Sequence, residues 1–226
     1  MVLDKKRENV DPILNKIAKS FVKVNPNVLT WISFVFAILA GAFFYFSSPE
    51  EELSNFYLYG AVIFVFLNGL FDAIDGKVAK LTNKASKKGD FLDHALDRYA
   101  DVFIVGGLAL STWCRTPSIG LLAIVGMLLT SYMGTQAQAV GYKREYSGLL
   151  GRADRLVLLM IAPIIQHILL YYSDFKLPFD LFLLEWILVY FAIMGNITAI
   201  QRFYSTLRYF DNNINKLKNR KKTKKY

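Results

Sequence analysis

Residues 31–46 read WISFVFAILAGAFFYF, an apolar run without a single charge, and Leu29 and Thr30 lengthen it toward the N-terminus. A hydrocarbon core about 30 Å thick is crossed by a helix of about 18 or more mostly apolar residues. The run therefore predicts a transmembrane helix, started by the breaker Asn25-Pro26-Asn27 in front of it. Five further apolar stretches follow: Phe56 to Phe71, a third from near Phe91 that is clean between Val102 and Trp113, Ile119 to Val140, Leu156 to Tyr172, and Phe179 to about Ile200. The fold expected is all-α and integral to the membrane, with six transmembrane helices.

Basic residues set the orientation. Of the 27 Lys and Arg, only Arg115 and Lys176 fall on the side facing the second, fourth and sixth span starts. The loop 47–55 has three Glu and no Lys or Arg, whereas 77–88 carries Lys77, Lys80, Lys84, Lys87 and Lys88. Cytoplasmic loops carry the excess of Lys and Arg, so both termini are expected in the cytoplasm and the protein in the cell membrane. Val10, Ile13, Leu14, Ile17 and Phe21 recur at helical spacing opposite lysines, which predicts an amphipathic helix on the cytoplasmic surface within residues 1–24. The first 24 residues are too polar for a cleavable signal peptide. Residues 25–212 form the membrane domain in this reading, and 213–226 a basic tail suited to anionic headgroups.

Composition agrees. The chain has 226 residues, 54% of them hydrophobic, and a formal net charge of +9. That apolar mass excludes a disordered chain. The lone Cys114 excludes an internal disulfide or a cysteine-based zinc site. The positive charge lacks any nucleic-acid-binding signature, so no nucleic acid partner is expected. Trp31, Tyr171 and Tyr172 near span ends fit interfacial belts, and His94 and His167 read as structural histidines.

The chemistry is concentrated in residues 71–101, FDAIDGKVAKLTNKASKKGDFLDHALDRYAD. Asp72, Asp75 and Ala79 share one helix face by their i, i+3, i+7 spacing, and Asp93, Asp97 and Asp101 share another at i, i+4, i+8. A short connection makes the two helices antiparallel neighbours, so two acidic faces meet at the cytoplasmic end of the bilayer. Carboxylates gathered in a partly apolar place are costly, and a divalent cation is the usual compensation. An oxygen-only ligand set points to Mg²⁺ or Mn²⁺. Asp90 and Asp101 read equally well as solvated charges. A transporter would place its acids near the bilayer midplane, often between inverted repeats; here they crowd one side and no repeat is visible. A non-catalytic scaffold gives no reason for acids at these spacings.

The segment resembles the signature of the CDP-alcohol phosphotransferase family, D-x-x-D-G-x-x-A-R-x8-G-x-x-x-D-x-x-x-D. Asp72, Asp75, Gly76, Ala79, Gly89, Asp93 and Asp97 match with every spacing kept, and Lys80 stands where the family has arginine. Lysine keeps the charge and loses the bidentate fork. The resemblance implies displacement of CMP from a CDP-linked lipid, CDP-diacylglycerol or CDP-archaeol, by a small polar alcohol. It implies one or two Mg²⁺ or Mn²⁺ on Asp72, Asp75, Asp93 and Asp97, with Asp97 as general base. Gly76, Ala79, Lys80 and Gly89 would receive the nucleotide, and a homodimer is the family expectation.

For the acceptor, residues 148–155 (GLLGRADR) and Ile200-Gln201-Arg202 resemble parts of the phosphatidylinositol-phosphate synthase branch. They nominate Arg152, Arg155 and Arg202 for a phosphorylated acceptor. That branch carries basic residues late in the fourth span, where this chain has Gln136 and Gln138. Gln136 can hydrogen-bond a polyol without bringing charge, so glycerol phosphate competes with inositol phosphate. Serine and free inositol are the non-phosphorylated alternatives.

Overall fold

The computed structural model describes residues 7–50, 54–171 and 178–223. Among them are seven α-helices and no strand: α1 (Arg7–Ser20), α2 (Pro26–Phe46), α3 (Ser54–Leu81), α4 (Lys87–Ala109), α5 (Pro117–Ala139), α6 (Arg152–Tyr171) and α7 (Leu183–Thr223). Five of these, α2, α3, α5, α6 and α7, contain stretches long and apolar enough to cross a membrane. The chain is an integral membrane protein. The expected third span, α4, is 23 residues long but carries Asp90, Asp93, Asp97, Arg98 and Asp101 in its first two-thirds.

Local chemistry places the helix ends. Asn25 accepts the N–H of Asn27 and Pro26 follows at the first helical position, which starts α2. Ser86 accepts the N–H of Gly89 and starts α4. Between α3 and α4, residues 82–86 turn the chain back, with Lys84 N–H on Ala79 O and Asn83 at φ 53°. That tight turn makes α3 and α4 antiparallel and carries the acidic residues of both to one end.

Three boundaries differ from those read in the sequence. The last span, expected from Phe179, starts at Leu183, because Phe179 lies in a separate short turn at φ 61°. The apolar run to Trp113 outlasts its helix, because α4 stops at Ala109 and the next residues fold back. There the Ser111 hydroxyl donates to Leu108 O, and the fully buried Trp113 donates its Nε1–H to Ser47 Oγ at 2.7 Å. Trp113 thus seals the end of the bundle opposite the aspartates. Helix α7 in turn runs 41 residues, well past Ile200 and into the stretch expected as a tail. Tyr172 and Lys176 lie outside the described residues.

Helix α2 packs on α3 and α4, α5 on α7, α6 on α3 and α7, and α1 on α3. The core they share includes Phe44, Leu58, Val65, Ile104, Leu108 and Phe191. The crossing of α2 and α4 is a backbone contact: a Cβ on Gly107 would lie 2.0 Å from Gly41 O, and one on Gly41 would lie 2.2 Å from Phe103 O. Small residues permit such approaches between membrane helices. Buried Asn68 and Ser33 tie α3 to α2, with the Ser33 hydroxyl donating to Asn68 O at 2.9 Å and Asn68 Nδ2 to Ser33 O at 3.0 Å. Helix α1 lies along α3 through Ala18, Ile17 and Phe21, and Lys77 reaches Asp11 and Asn15 at 3.0 Å each. Its other face is open, with Ile13 exposed.

Candidate active site

The turn at 82–86 brings the acidic ends of α3 and α4 to the same side of α2. Both helices pack on α2 rather than on each other, which corrects the expected direct neighbours, and two groups of carboxylates face one another across the gap. Asp75 and Asp93 line an open cleft of about 590 Å³ together with Asp90. Its walls are Pro26, Asn27 and Thr30 from α2, Gly76, Ala79 and Lys80 from α3, and Gly89 from the start of α4. All four residues nominated for the nucleotide therefore lie on one cleft. A Cβ at Gly76 would meet nothing within 4 Å, so this backbone faces open space that a side chain would fill.

Asp72 and Asp97 belong to the second group, which α6 completes. Arg152, the first residue of α6, points Nη1 between them, 2.8 Å from Asp72 Oδ2 and 2.7 Å from Asp97 Oδ1. One turn along, Arg155 Nη2 lies 2.7 Å from Asp101 Oδ2, and Arg98 Nη1 reaches the same oxygen at 3.0 Å. Asp101 and Arg155 are 5% and 3% exposed, which removes the solvated reading of Asp101. A buried carboxylate that two guanidiniums share is paired rather than wet. Asp90 is the solvated one, with a side chain 74% exposed.

The donor set suits a hard divalent cation. Asp75 Oδ2 and Asp93 Oδ1 are buried without a hydrogen-bond partner, and orphaned buried carboxylate oxygens call for a cation or a proton. Ligand atoms of Asp93, His94 and Asp97 lie within 4.8 Å of one another. His94 sits beside the acidic face, 3.3 Å from Asp90 and 3.7 Å from Asp93, with the Arg144 guanidinium against its Nε2.

The other nominated residues sit differently. Arg202 in α7 is buried, with Nε on Ser147 O at 2.8 Å and Nη1 on Thr130 O at 2.6 Å. It braces the segment between α5 and α6. Gln136 is exposed near the end of α5. The sequence offers no sign of Thr198, whose hydroxyl oxygen accepts the N–H groups of Leu149 and Leu150 at 3.2 Å each. Gly148 crosses Thr198 at φ 130°, where a Cβ would come within 2.2 Å of its methyl. Glu145 adds a further tie, accepting from Ser147 N–H and the Ser205 hydroxyl. These bonds outweigh the burial that opposes its charge and hold its carboxyl below the usual range. Helix α7 thus anchors the strap 145–151 that delivers Arg152 to the aspartates. Thr198→Val keeps the shape and strands two N–H groups, at a cost of about 1–3 kcal/mol for each that is buried. A melting midpoint lowered by several degrees is the expected reading, by intrinsic fluorescence; an unchanged midpoint would show that the strap holds without it.

Comparison with known proteins gives a consistent set of relatives. The sequence profile of the family described as CDP-alcohol phosphatidyltransferase matches residues 23–199. The archaetidylinositol phosphate synthase of Pyrococcus horikoshii is 31% identical over 205 residues, covering 90% of this chain and 95% of the relative. The phosphatidylinositol phosphate synthase of Cutibacterium acnes is 28% identical, covering 87% and 93%. Among solved structures, the Mycobacterium tuberculosis phosphatidylinositol phosphate synthase with CDP-DAG bound superposes with a TM-score of 0.66 at 23% identity, over 86% of this chain and 94% of that one. At that identity the likeness speaks for the fold.

Proposed function

The chain belongs to the CDP-alcohol phosphatidyltransferase family, and from that premise we propose that its acceptor is a phosphorylated polyol, inositol phosphate. The protein is a phospholipid-synthesising transferase that moves the phosphatidyl-type group of a CDP-linked lipid to a polar alcohol and releases CMP. One observation carries the acceptor reading: Arg152 and Arg155 stand at the start of α6 directly against the acidic faces of α3 and α4. Guanidinium groups are the side chains best matched to phosphate. The relatives whose names specify inositol phosphate products support the same choice.

The carboxylates of Asp72, Asp75, Asp93 and Asp97 would hold the divalent cation, Mg²⁺ or Mn²⁺. When bound, such an ion neutralises charge on a diphosphate. The nucleotide lies in the cleft, where Gly76 and Ala79 leave the α3 backbone accessible and Lys80 supplies charge for a phosphate. Gly89 lines the same cleft at the start of α4, where a Cβ would press on Asn27 Oδ1 and Ser86 Oγ at 3.3 Å each. Asp97 takes the proton of the acceptor hydroxyl as that oxygen attacks the donor's lipid-linked phosphorus. Arg202 acts on the acceptor through the strap it anchors, since its Nε and Nη1 both serve backbone carbonyls. Gln136, exposed near the end of α5, offers its amide to a hydroxyl of the polyol.

On the same grounds α4 is the sixth span, packed on α2 and α5, with its charged half at the cytoplasmic end facing the site. Helix α1 lies on the cytoplasmic surface with Ile13 toward the lipid, in the cell membrane, and the working unit is a homodimer. In the deciding experiment the purified protein is incubated with Mg²⁺ and either CDP-diacylglycerol or CDP-archaeol, and CMP release is followed. Inositol phosphate, glycerol phosphate, serine and inositol are offered separately. Release with inositol phosphate, abolished by a chelator and restored by Mg²⁺ or Mn²⁺, is expected. Release with glycerol phosphate alone would replace the acceptor, and release that survives the chelator would remove the cation.

A further inference from the structure

Arg152 occupies an unusual seat. Its Nη1 bridges Asp72 and Asp97, two carboxylates that the proposed function gives to a cation, while its Nε and Nη2 are buried with no hydrogen-bond partner. Two unsatisfied buried donors make this placement costly. A further carboxylate stands beside it: Asp101 Oδ1 lies 3.7 Å from Nε, while Oδ2 of the same residue is engaged by Arg98 and Arg155. A shift of about 1 Å would bring Nε into hydrogen-bond range of that oxygen.

We propose that Arg152 is a built-in competitor for the cation at Asp72 and Asp97, with Asp101 as its alternative seat. The guanidinium holds one oxygen of each carboxylate, Asp72 Oδ2 and Asp97 Oδ1, so a cation drawn to the same pair loses those two ligand atoms and meets a positive charge beside the ones that remain. Uptake of the cation moves Arg152 from the Asp72–Asp97 bridge to Asp101, where Nε gains the partner it lacks. The fork is then turned away from the metal ligands, and its Nη1 is released to meet an anion such as the acceptor's phosphate. Cation loading and acceptor binding become coupled through one side chain, and such coupling is reciprocal. The sequence hides this role: Asp101 lies one turn beyond the signature, and Arg152 is 80 residues from Asp72 along the chain.

The inference rests on the reading of the aspartates as cation ligands, and calorimetric titration of the purified full chain with Mn²⁺ tests the two separately. Arg152→Gln should bind Mn²⁺ at least ~10-fold tighter than wild type, within the usual range of coupling between sites. Arg152→Lys keeps the charge but ends one bond short and has no Nε, so it should also bind tighter, by a few-fold. Asp101→Asn should weaken Mn²⁺ binding in the wild-type background and leave it unchanged in Arg152→Gln, the signature of acting through Arg152. If neither Arg152 variant binds more tightly, or if Asp101→Asn weakens binding equally in both backgrounds, Arg152 is no competitor. The lysine variant keeps the test open should glutamine fail to fold. A wild type that binds Mn²⁺ no better than Asp93→Asn would instead overturn the cation reading itself, and this inference with it.

Discussion

Asp97→Asn is expected to reduce CMP release by a factor of about 10³ or more while leaving the protein folded. The size follows from two losses at one atom pair. General base catalysis alone contributes about 10²–10⁴, and an amide is also a poor ligand for a hard cation. Asparagine keeps the shape of the side chain, and Arg152 retains Asp72 as a partner at 2.8 Å, so the α3–α6 contact survives. The informative comparison is therefore rate against melting midpoint. A loss of rate at an unchanged midpoint places Asp97 in the chemistry. A variant that keeps a tenth or more of the wild-type rate would assign the proton to another group, and Asp93, with its unpartnered Oδ1, is the next candidate.

Gly107→Leu should have the largest effect on folding. At this crossing the α4 backbone runs against the α2 backbone, and even a methyl group would sit 2.0 Å from Gly41 O. A flexible neighbour could move aside, but a carbonyl within a helix cannot do so without displacing the helix. Overpacking of a side-chain core costs about 1–3 kcal/mol, and a leucine pressed onto backbone should exceed that range. The consequence reaches the cleft, because α2 supplies Asn27 and Thr30 to one wall and α4 supplies Gly89 and Asp93 to another. Extraction in detergent should give little monodisperse protein for Gly107→Leu, and Gly107→Ala should fall between it and wild type. A leucine variant that elutes and melts like wild type would mean the two helices separate without cost.

Much of this protein is legible in its amino-acid sequence. The apolar run at 31–46 dictates a membrane helix because the hydrocarbon core imposes a length. The i, i+3 and i, i+4 spacings of the aspartates place them on helix faces because the α-helix has a fixed period, and the structure brings those faces together. The helix starts at Pro26 and Lys87 follow from Asn25 and Ser86, whose side chains cap them. Where the sequence misleads, the cause is physical too. The end of α4 escapes it because hydropathy cannot distinguish an apolar residue inside a helix from one folded back over its end, and Trp113 is as buried as any core residue. The partners of Arg202 in the fold, Ser147 O and Thr130 O, are likewise not announced by anything local to residue 202.

Sequence by itself determined the membrane class, from the length of its apolar runs, and the two acidic helix faces, from spacings within a few turns of each helix; the reaction came with the resemblance of those residues to a family's signature. Only the tertiary structure decided which charges meet. Arg152 with Asp72 and Asp97, Arg155 with Asp101, and Thr198 with the strap before α6 are contacts between residues far apart in the chain. Their geometry is set by how α6 packs on α3 and α7, and α7 on α5, and close packing of side chains has no period that a sequence can display.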